Sequence, residues 1–291
     1  MPSAFLTLLA ATVLVFPACA DARGILRMQR MSPGDLEVGG ELAGLPPGST
    51  RYVRYEDLLK LPQESYTVSD DTNLPRNTVI SGVALTTLAR LFGQSSESAL
   101  IVAVCYDRYR TNYPLDYRAV HHPLLVLRIN GRLRDQWPLS ENGGSMGPYL
   151  VSHPFFKPAF KVLSHQDEPQ IPFGVVRLNF QRESEVFGSI RPPGNWPAGS
   201  SVGQGYVIAR QDCFRCHNMG AEGGQMAGKS WPRLATMART DPRRFQRIIR
   251  NPAAVTPGAR MPGEPGYDDA TVEALTAYFR TFSGRGSGNG R

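Results

Sequence analysis

Cysteine is scarce in this chain, four residues in 291. So few thiols cannot form a disulfide framework; burial must hold the fold, and the cysteines need another purpose. Beyond the N-terminal segment no stretch reaches the roughly 18 apolar residues of a membrane span, so no transmembrane segment is expected in the mature chain. There is no internal repeat, no collagen-like glycine period and no coiled-coil heptad. The low hydrophobicity and high charge of a disordered chain are missing too, since 41% of the residues are hydrophobic and the formal net charge is +7. What is left is a globular protein, long enough for about two domains at roughly 150 residues each.

The N-terminus reads as a targeting segment. Phe5 to Phe16 (FLTLLAATVLVF) is a run of twelve uncharged, mostly apolar residues, followed by Pro17, Ala18, Cys19, Ala20 and the charged Asp21. As a helix it would span roughly 18 Å at about 1.5 Å per residue, short of the roughly 30 Å bilayer core. Ala18 and Ala20 supply the small-x-small pattern of a cleavage site. Residues 1–20 are therefore expected to be a signal peptide, and the mature protein periplasmic or otherwise exported. The segment departs from the usual form in having no Lys or Arg before the apolar run. Lipid attachment at Cys19 is the alternative, for which Phe16-Pro17-Ala18 is a poor lead-in.

A second break lies at residues 190–201 (IRPPGNWPAGSS), where three prolines, two glycines and two serines leave neither helix nor strand room to propagate. This stretch is expected to be a linker between a body at 24–189 and a smaller module at 202–283, with a disordered tail at 284–291. The charge is divided unequally. From Ser200 onward there are thirteen Lys and Arg against seven Asp and Glu, so almost the whole basic excess sits in the module.

The body is expected to be α+β. Leu100 to Cys105 (LIVAVC) suits a buried strand. Leu124 to Ile129 leads into Asn130-Gly131, the dipeptide of a two-residue hairpin turn, and Val176 to Phe180 alternates as a half-buried strand does. Ala84 to Phe92 has helical spacing and ends at Gly93. The module reads as all-α.

Cys213-Phe214-Arg215-Cys216-His217 is a CxxCH. On a helical turn, residues three apart share a face, so the two thiols can form thioethers to the two vinyl groups of one haem while His217 meets the iron. A zinc half-site or a disulfide is the competing reading, but zinc wants two further Cys or His ligands, and the module has no other. The reading is one covalent haem c. A six-coordinate electron-transfer haem needs a second axial ligand, and Met219, Met226, Met237 and Met261 come after the motif. Met219 is too near His217 to reach the opposite haem face. Met261, in the irregular loop Pro257-Gly258-Ala259-Arg260-Met261-Pro262-Gly263, is the expected ligand, although a Met is often core filler.

The stretch from Gly203 to Phe282 resembles the class I c-type cytochromes. The order matches: Gly205-Tyr206 in a first helix, the CxxCH, Trp231-Pro232-x-Leu234, a middle helix, Met261-Pro262 and a final helix. The resemblance implies that the Pro232 carbonyl accepts from Nδ1 of His217 and that the final helix crosses the first beside the haem edge. In the final helix Val272, Leu275, Phe279 and Phe282 form one apolar face behind Asp268 and Asp269 at its start. In the middle helix Asp241-Pro242 makes the start, Phe245, Ile248 and Ile249 make the apolar stripe, and Arg243, Arg244, Arg247 and Arg250 face outward. That basic face is either solvated or a docking surface for an acidic redox partner. Nucleic acid is not an expected partner for an exported haem protein.

The stretch from Leu36 to Phe180 resembles the molybdopterin-binding domain of the sulfite-oxidase family. The segments that carry this are Val38-Gly39-Gly40-Glu41-Leu42, Tyr55-Glu56-Asp57-Leu58-Leu59, Ser81-Gly82-Val83-Ala84-Leu85, Asp107-x-Tyr109 and Asn130-Gly131. The family's active members ligate molybdenum with a cysteine shortly before the Gly-Val segment, whereas Thr67 to Asn73 holds none. Cys105, in an apolar strand, reads as a buried inert thiol. His121, His122, His153 and His165 show no ligand spacing. The body is therefore expected to be a relative without molybdopterin, serving as a docking or binding platform for an electron carrier. The alternative is a haem-containing molybdopterin oxidoreductase of the sulfite-dehydrogenase kind.

Overall fold

The computed structural model describes residues 24–68, 71, 73–94, 99–140, 143–153, 161–162, 165–166 and 170–282. The expected signal peptide and tail, and the ring of His165, lie outside the described residues.

The first part is sheet-rich. In chain order it runs β1 (Leu36–Gly40), β2 (Ser49–Val53), α1 (Tyr55–Leu58), β3 (Glu64–Val68), β4 (Thr78–Ala84), α2 (Leu85–Phe92), β5 (Ala99–Cys105), β6 (Arg110–Tyr113), α3 (Leu115–His121), β7 (Leu124–Ile129), β8 (Tyr149–Ser152), β9 (Lys161–Val162), β10 (His165–Gln166), β11 (Phe173–Arg182) and α4 (Glu183–Gly188). Nine of these strands form one mixed sheet in the order β2-β1-β11-β8-β7-β4-β3, with β5 and β6 branching from β11. β11 makes the branch possible through its length. Its first residues pair with β8, and the rest lies between β5 and β1, parallel to β1 with Glu37 opposite Arg177.

Both faces of the central strands are covered, which is why they read as unbroken apolar runs. In β7, Leu125 and Leu127 enter a core with Leu88, Phe92 and Phe180, while Leu124 and Val126 enter a second core with Ile80 and Trp137. Asn130 and Gly131 both take left-handed backbone, as a tight hairpin turn requires, and Ile129 and Arg132 exchange hydrogen bonds across them. The turn does not lead into a second strand; the chain winds instead into a 3₁₀ helix at Arg134–Gln136.

The second part is helical: α5 (Ser201–Gln211), the two-residue strands β12 (Asn218–Met219) and β13 (Glu222–Gly223), α6 (Trp231–Thr240), α7 (Pro242–Arg250), α8 (Pro252–Val255) and α9 (Asp269–Arg280). The caps are those the sequence offers. Ser200 accepts from Gly203 N, Asp241 from Arg244 N and Asp268 from Thr271 N. α5 crosses α9 at Gly205, where a Cβ would lie 2.1 Å from the Ala274 carbonyl oxygen.

The chain between the two parts is not a loose tether. It has neither helix nor strand from Ser189 to Ser200, yet Ile190 is fully buried and its carbonyl accepts from the Tyr278 hydroxyl of α9 at 2.6 Å. Strand β5 supplies the rest of the junction. Ile101, Ala103 and Cys105 enter the body's core, whereas Leu100 and Val102 join Ile208, Trp231 and Phe279 in the core of the helical part.

Candidate functional site

α5 ends at Gln211, and after Asp212 the chain makes one tight turn through Cys213–Arg215. The Cys213 carbonyl accepts from Cys216 N at 3.2 Å and from His217 N at 2.9 Å. That single turn brings together the two thiols and the imidazole predicted from the motif. The cysteines are not joined in a disulfide. Burial pushes the Cys213 thiol well up and raises that of Cys216, where the nearby Arg215 works against it.

His217 is buried, and its Nδ1 lies 2.6 Å from the Lys229 carbonyl oxygen. A carbonyl only accepts, so Nδ1 carries the proton and Nε2 is the bare nitrogen that a metal binds. Burial also lowers the His217 pKa below the ordinary value, which favours the neutral ring. The acceptor expected here was Pro232, and the structure corrects that. Pro232 lies in the first turn of α6, where its carbonyl accepts from Thr236 Oγ1 at 2.9 Å, and the chain presents Lys229 to the ring instead.

Met261 stands in irregular chain between α8 and α9 and is 36% exposed. Its loop is fastened at two points after Met261: Glu264 N–H donates to the Ile249 carbonyl at 2.9 Å, and the Tyr267 hydroxyl donates to Asp212 at 2.8 Å. The second bond ties the Met261 loop to the residue just before Cys213. Of the other methionines, Met226 is exposed, while Met219 and Met237 are half-buried at the edge of the helical core. Two thiols, an imidazole with its outer nitrogen engaged, and an open-sided thioether loop make a donor set that fits a haem c.

On α7, Phe245 and Ile249 are buried, and Arg243, Arg244 and Arg247 are exposed. Arg250 is drawn inward, donating to the Tyr267 carbonyl at 2.9 Å and pairing with Asp269 at 2.6 Å. An open cleft of about 560 Å³ runs along Arg244, Arg247 and Arg250 to Asn251.

In the body, Cys105 is buried in the sheet core, and burial drives its thiol pKa well up, away from the thiolate that a metal needs. Sequence spacing gave no sign of the cluster formed by His121 and His153. Both are buried, their ring centroids 5.4 Å apart, with Tyr117 packed 4.1 Å from His121 and Arg118 fully buried on the same helix. The two histidines are brought together by α3 and the end of β8, a long-range contact that no local motif announces. Among the described residues no group of three or more His, Cys, Asp or Glu side chains is placed to hold a metal ion, and no helix is long and apolar enough to cross a membrane.

The turn, the capped helices and the Met-bearing loop define a cytochrome c domain. Residues 200–279 match the family model described as cytochrome C oxidase, cbb3-type, subunit III. No curated protein matches the chain. Among solved structures, the sulfane dehydrogenase SoxCD from Paracoccus pantotrophus is similar over 53% of this chain at 17% identity with a TM-score of 0.35. The match spans 40% of that neighbour's length.

Proposed function

We propose that the protein is an exported single-electron carrier with one haem c, attached through Cys213 and Cys216 and ligated by His217 and Met261, on a module whose N-terminal body sets its partner. The observation that supports this most is the attachment turn, in which both cysteines share one turn with an imidazole already oriented by the Lys229 carbonyl. When bound, the haem supplies an iron that cycles between Fe(III) and Fe(II). The chain does the rest. The thiols fix the macrocycle, the Lys229 carbonyl holds the His217 ring and its tautomer, and the loop fastened at Asp212 and Ile249 presents a thioether, which raises the potential. The exposed Arg243, Arg244 and Arg247 favour an acidic redox partner through electrostatic steering.

Acid-acetone should fail to extract the haem, and the pyridine haemochrome should be of c type; extractable haem, or none, rejects the reading. Met261→Ala should lower the reduction potential and change the ligand-field spectrum. The same changes in Met226→Ala or Met237→Ala, with Met261→Ala silent, would move the ligand.

A second reading is a haem-containing molybdopterin oxidoreductase, and it is favoured by the buried charged and imidazole groups at Arg118, His121 and His153. Metal analysis separates the two. About one iron and no stoichiometric molybdenum per chain supports the carrier; about one molybdenum per chain with sulfite-dependent haem reduction supports the enzyme.

A further inference from the structure

Arg215 stands between the two cysteines of the motif, where the chemistry of attachment asks nothing of it, yet its side chain is only 14% exposed. Its nitrogens go to three places. Nε donates to the Gln211 carbonyl at 2.8 Å, Nη2 to Asp212 at 2.6 Å, and Nη1 to the Tyr109 hydroxyl at 3.1 Å. Tyr109 belongs to the other half of the molecule, in the turn between β5 and β6, where Arg108 takes left-handed backbone at φ 71°. Burial raises the Tyr109 phenol above its ordinary range, so it stays neutral and accepts from the guanidinium. Asp212 in turn accepts on its other oxygen from Tyr267, which closes the Met261 loop. Two further bonds press the same turn onto the same surface: Gln225 N–H donates to the Arg108 carbonyl at 3.2 Å, and Arg110 pairs with Glu222 at 3.4 Å.

We propose that Tyr109 and Arg215 are positioning residues of the haem site, through which the N-terminal body holds the attachment turn and the Met261 loop and so takes part in setting the reduction potential. The proposal rests on the haem reading above. A guanidinium is always charged, and a positive charge held in a poorly solvated place favours the state of the iron with one charge fewer, Fe(II). The Tyr109 hydroxyl keeps that charge in place from a turn that packs on the body's core, where the preceding strand β5 is rooted. Asp212 and Tyr267 extend the same hydrogen-bonded chain to the loop on which the expected second ligand stands. A body tied to the module only by a linker would make none of these bonds.

The test uses the full-length protein with haem attached. Tyr109→Phe and Arg215→Gln should keep the haem content of the unaltered protein by pyridine haemochrome. At a fixed solution potential, Tyr109→Phe should lower the Fe(II)/Fe(III) ratio about fivefold, roughly the net weight of one ordinary hydrogen bond, and Arg215→Gln should lower it further. Because Tyr109 and Tyr267 act on the same Arg215–Asp212 pair, the shift in the Tyr109→Phe/Tyr267→Phe double variant should differ from the sum of the single shifts. Full haem content with unchanged potential and ligand-field spectrum in Tyr109→Phe overturns this inference and leaves the haem reading standing. No covalent haem in the unaltered protein overturns the haem reading and this inference with it. Should Arg215→Gln fail to fold, Tyr109→Phe, which loses a single oxygen, decides alone.

Discussion

Asp57, 4% exposed, gathers three cations at one carboxylate: Arg54 donates to both oxygens at 2.8 and 2.9 Å, Lys60 donates at 3.0 Å, and Arg27 lies 3.6 Å away. The hydrogen bonds from Arg54, with those from Lys60, hold the carboxyl well below the ordinary carboxylate range. A carboxylate depressed in the folded state stabilises it fully above the unfolded pKa of about 3.9, and that stability is lost as pH falls through the folded value. Asp57→Asn is therefore expected to cost about 1–3 kcal/mol at neutral pH and to flatten the loss of stability on acidification below about pH 5. Denaturant unfolding at a series of pH values checks this; equal slopes for variant and unaltered protein would refute it. At this scale the sequence was most legible where chemistry is local. The CxxCH needs only one turn to bring its three groups together, so its spacing carried the reading. The carbonyl that orients His217 depends on how the chain returns twelve residues later, and the resemblance pointed to Pro232, a residue that the first turn of α6 had already claimed.

Gly205 fixes how closely α5 and α9 approach. A Cβ there would meet the Ala274 carbonyl oxygen at 2.1 Å and Tyr278 Cβ at 2.7 Å, and a helix backbone cannot yield as a flexible side chain can. Gly205→Ala is expected to force the helices apart and to cost about 1–3 kcal/mol, read as a lower melting temperature of the helical part by haem absorbance; an unchanged midpoint would mean that the crossing is looser than the structure has it. At the start of α9, Asp268→Ala removes the acceptor for Thr271 N and should cost about 1 kcal/mol. These helix starts were readable because a cap is decided within a few residues. The sheet was not readable to the same degree. The strands β5, β7 and β11 announced themselves by β-branched or alternating runs, but the parallel pairing of β1 with β11 joins residues about 140 positions apart, and no local pattern specifies that partner. Asn130-Gly131 announced the turn correctly but not the 3₁₀ helix into which Arg134–Gln136 winds a few residues on. Gly93 comes after α2 in extended backbone at φ −74°, so it ends the helix without the left-handed conformation that usually selects glycine there.

For the molecule as a whole, the charge division and the shared strand make separate claims. The helical part carries almost all the basic excess, and Arg243→Glu with Arg247→Glu should slow electron exchange with an acidic partner and weaken its dependence on salt; unchanged rates at low ionic strength would mark the face as merely solvated. The shared strand bears on whether the two parts behave as one. An apolar run such as Leu100 to Cys105 says that both faces of a strand are buried, but not that the second face belongs to a different part of the chain, so the composition break at 190–201 pointed to a tether. In the structure Val102, 1% exposed, packs in one core with Ile208, Trp231 and Phe279, and β5 is held along one edge to β11 at seven paired positions. A cavity opened at Val102 therefore weakens the helical core and the anchorage of the sheet to it at once. Val102→Ala is expected to cost about 1–3 kcal/mol, from lost apolar burial and the residual void. Haem absorbance, which reports the helical part, and the far-ultraviolet strand signal, which reports the body, should melt together in the unaltered protein and shift down together in Val102→Ala. Two separate transitions in the unaltered protein, or a shift confined to the haem signal, would show that the parts unfold independently and that the packing at β5 does not couple them.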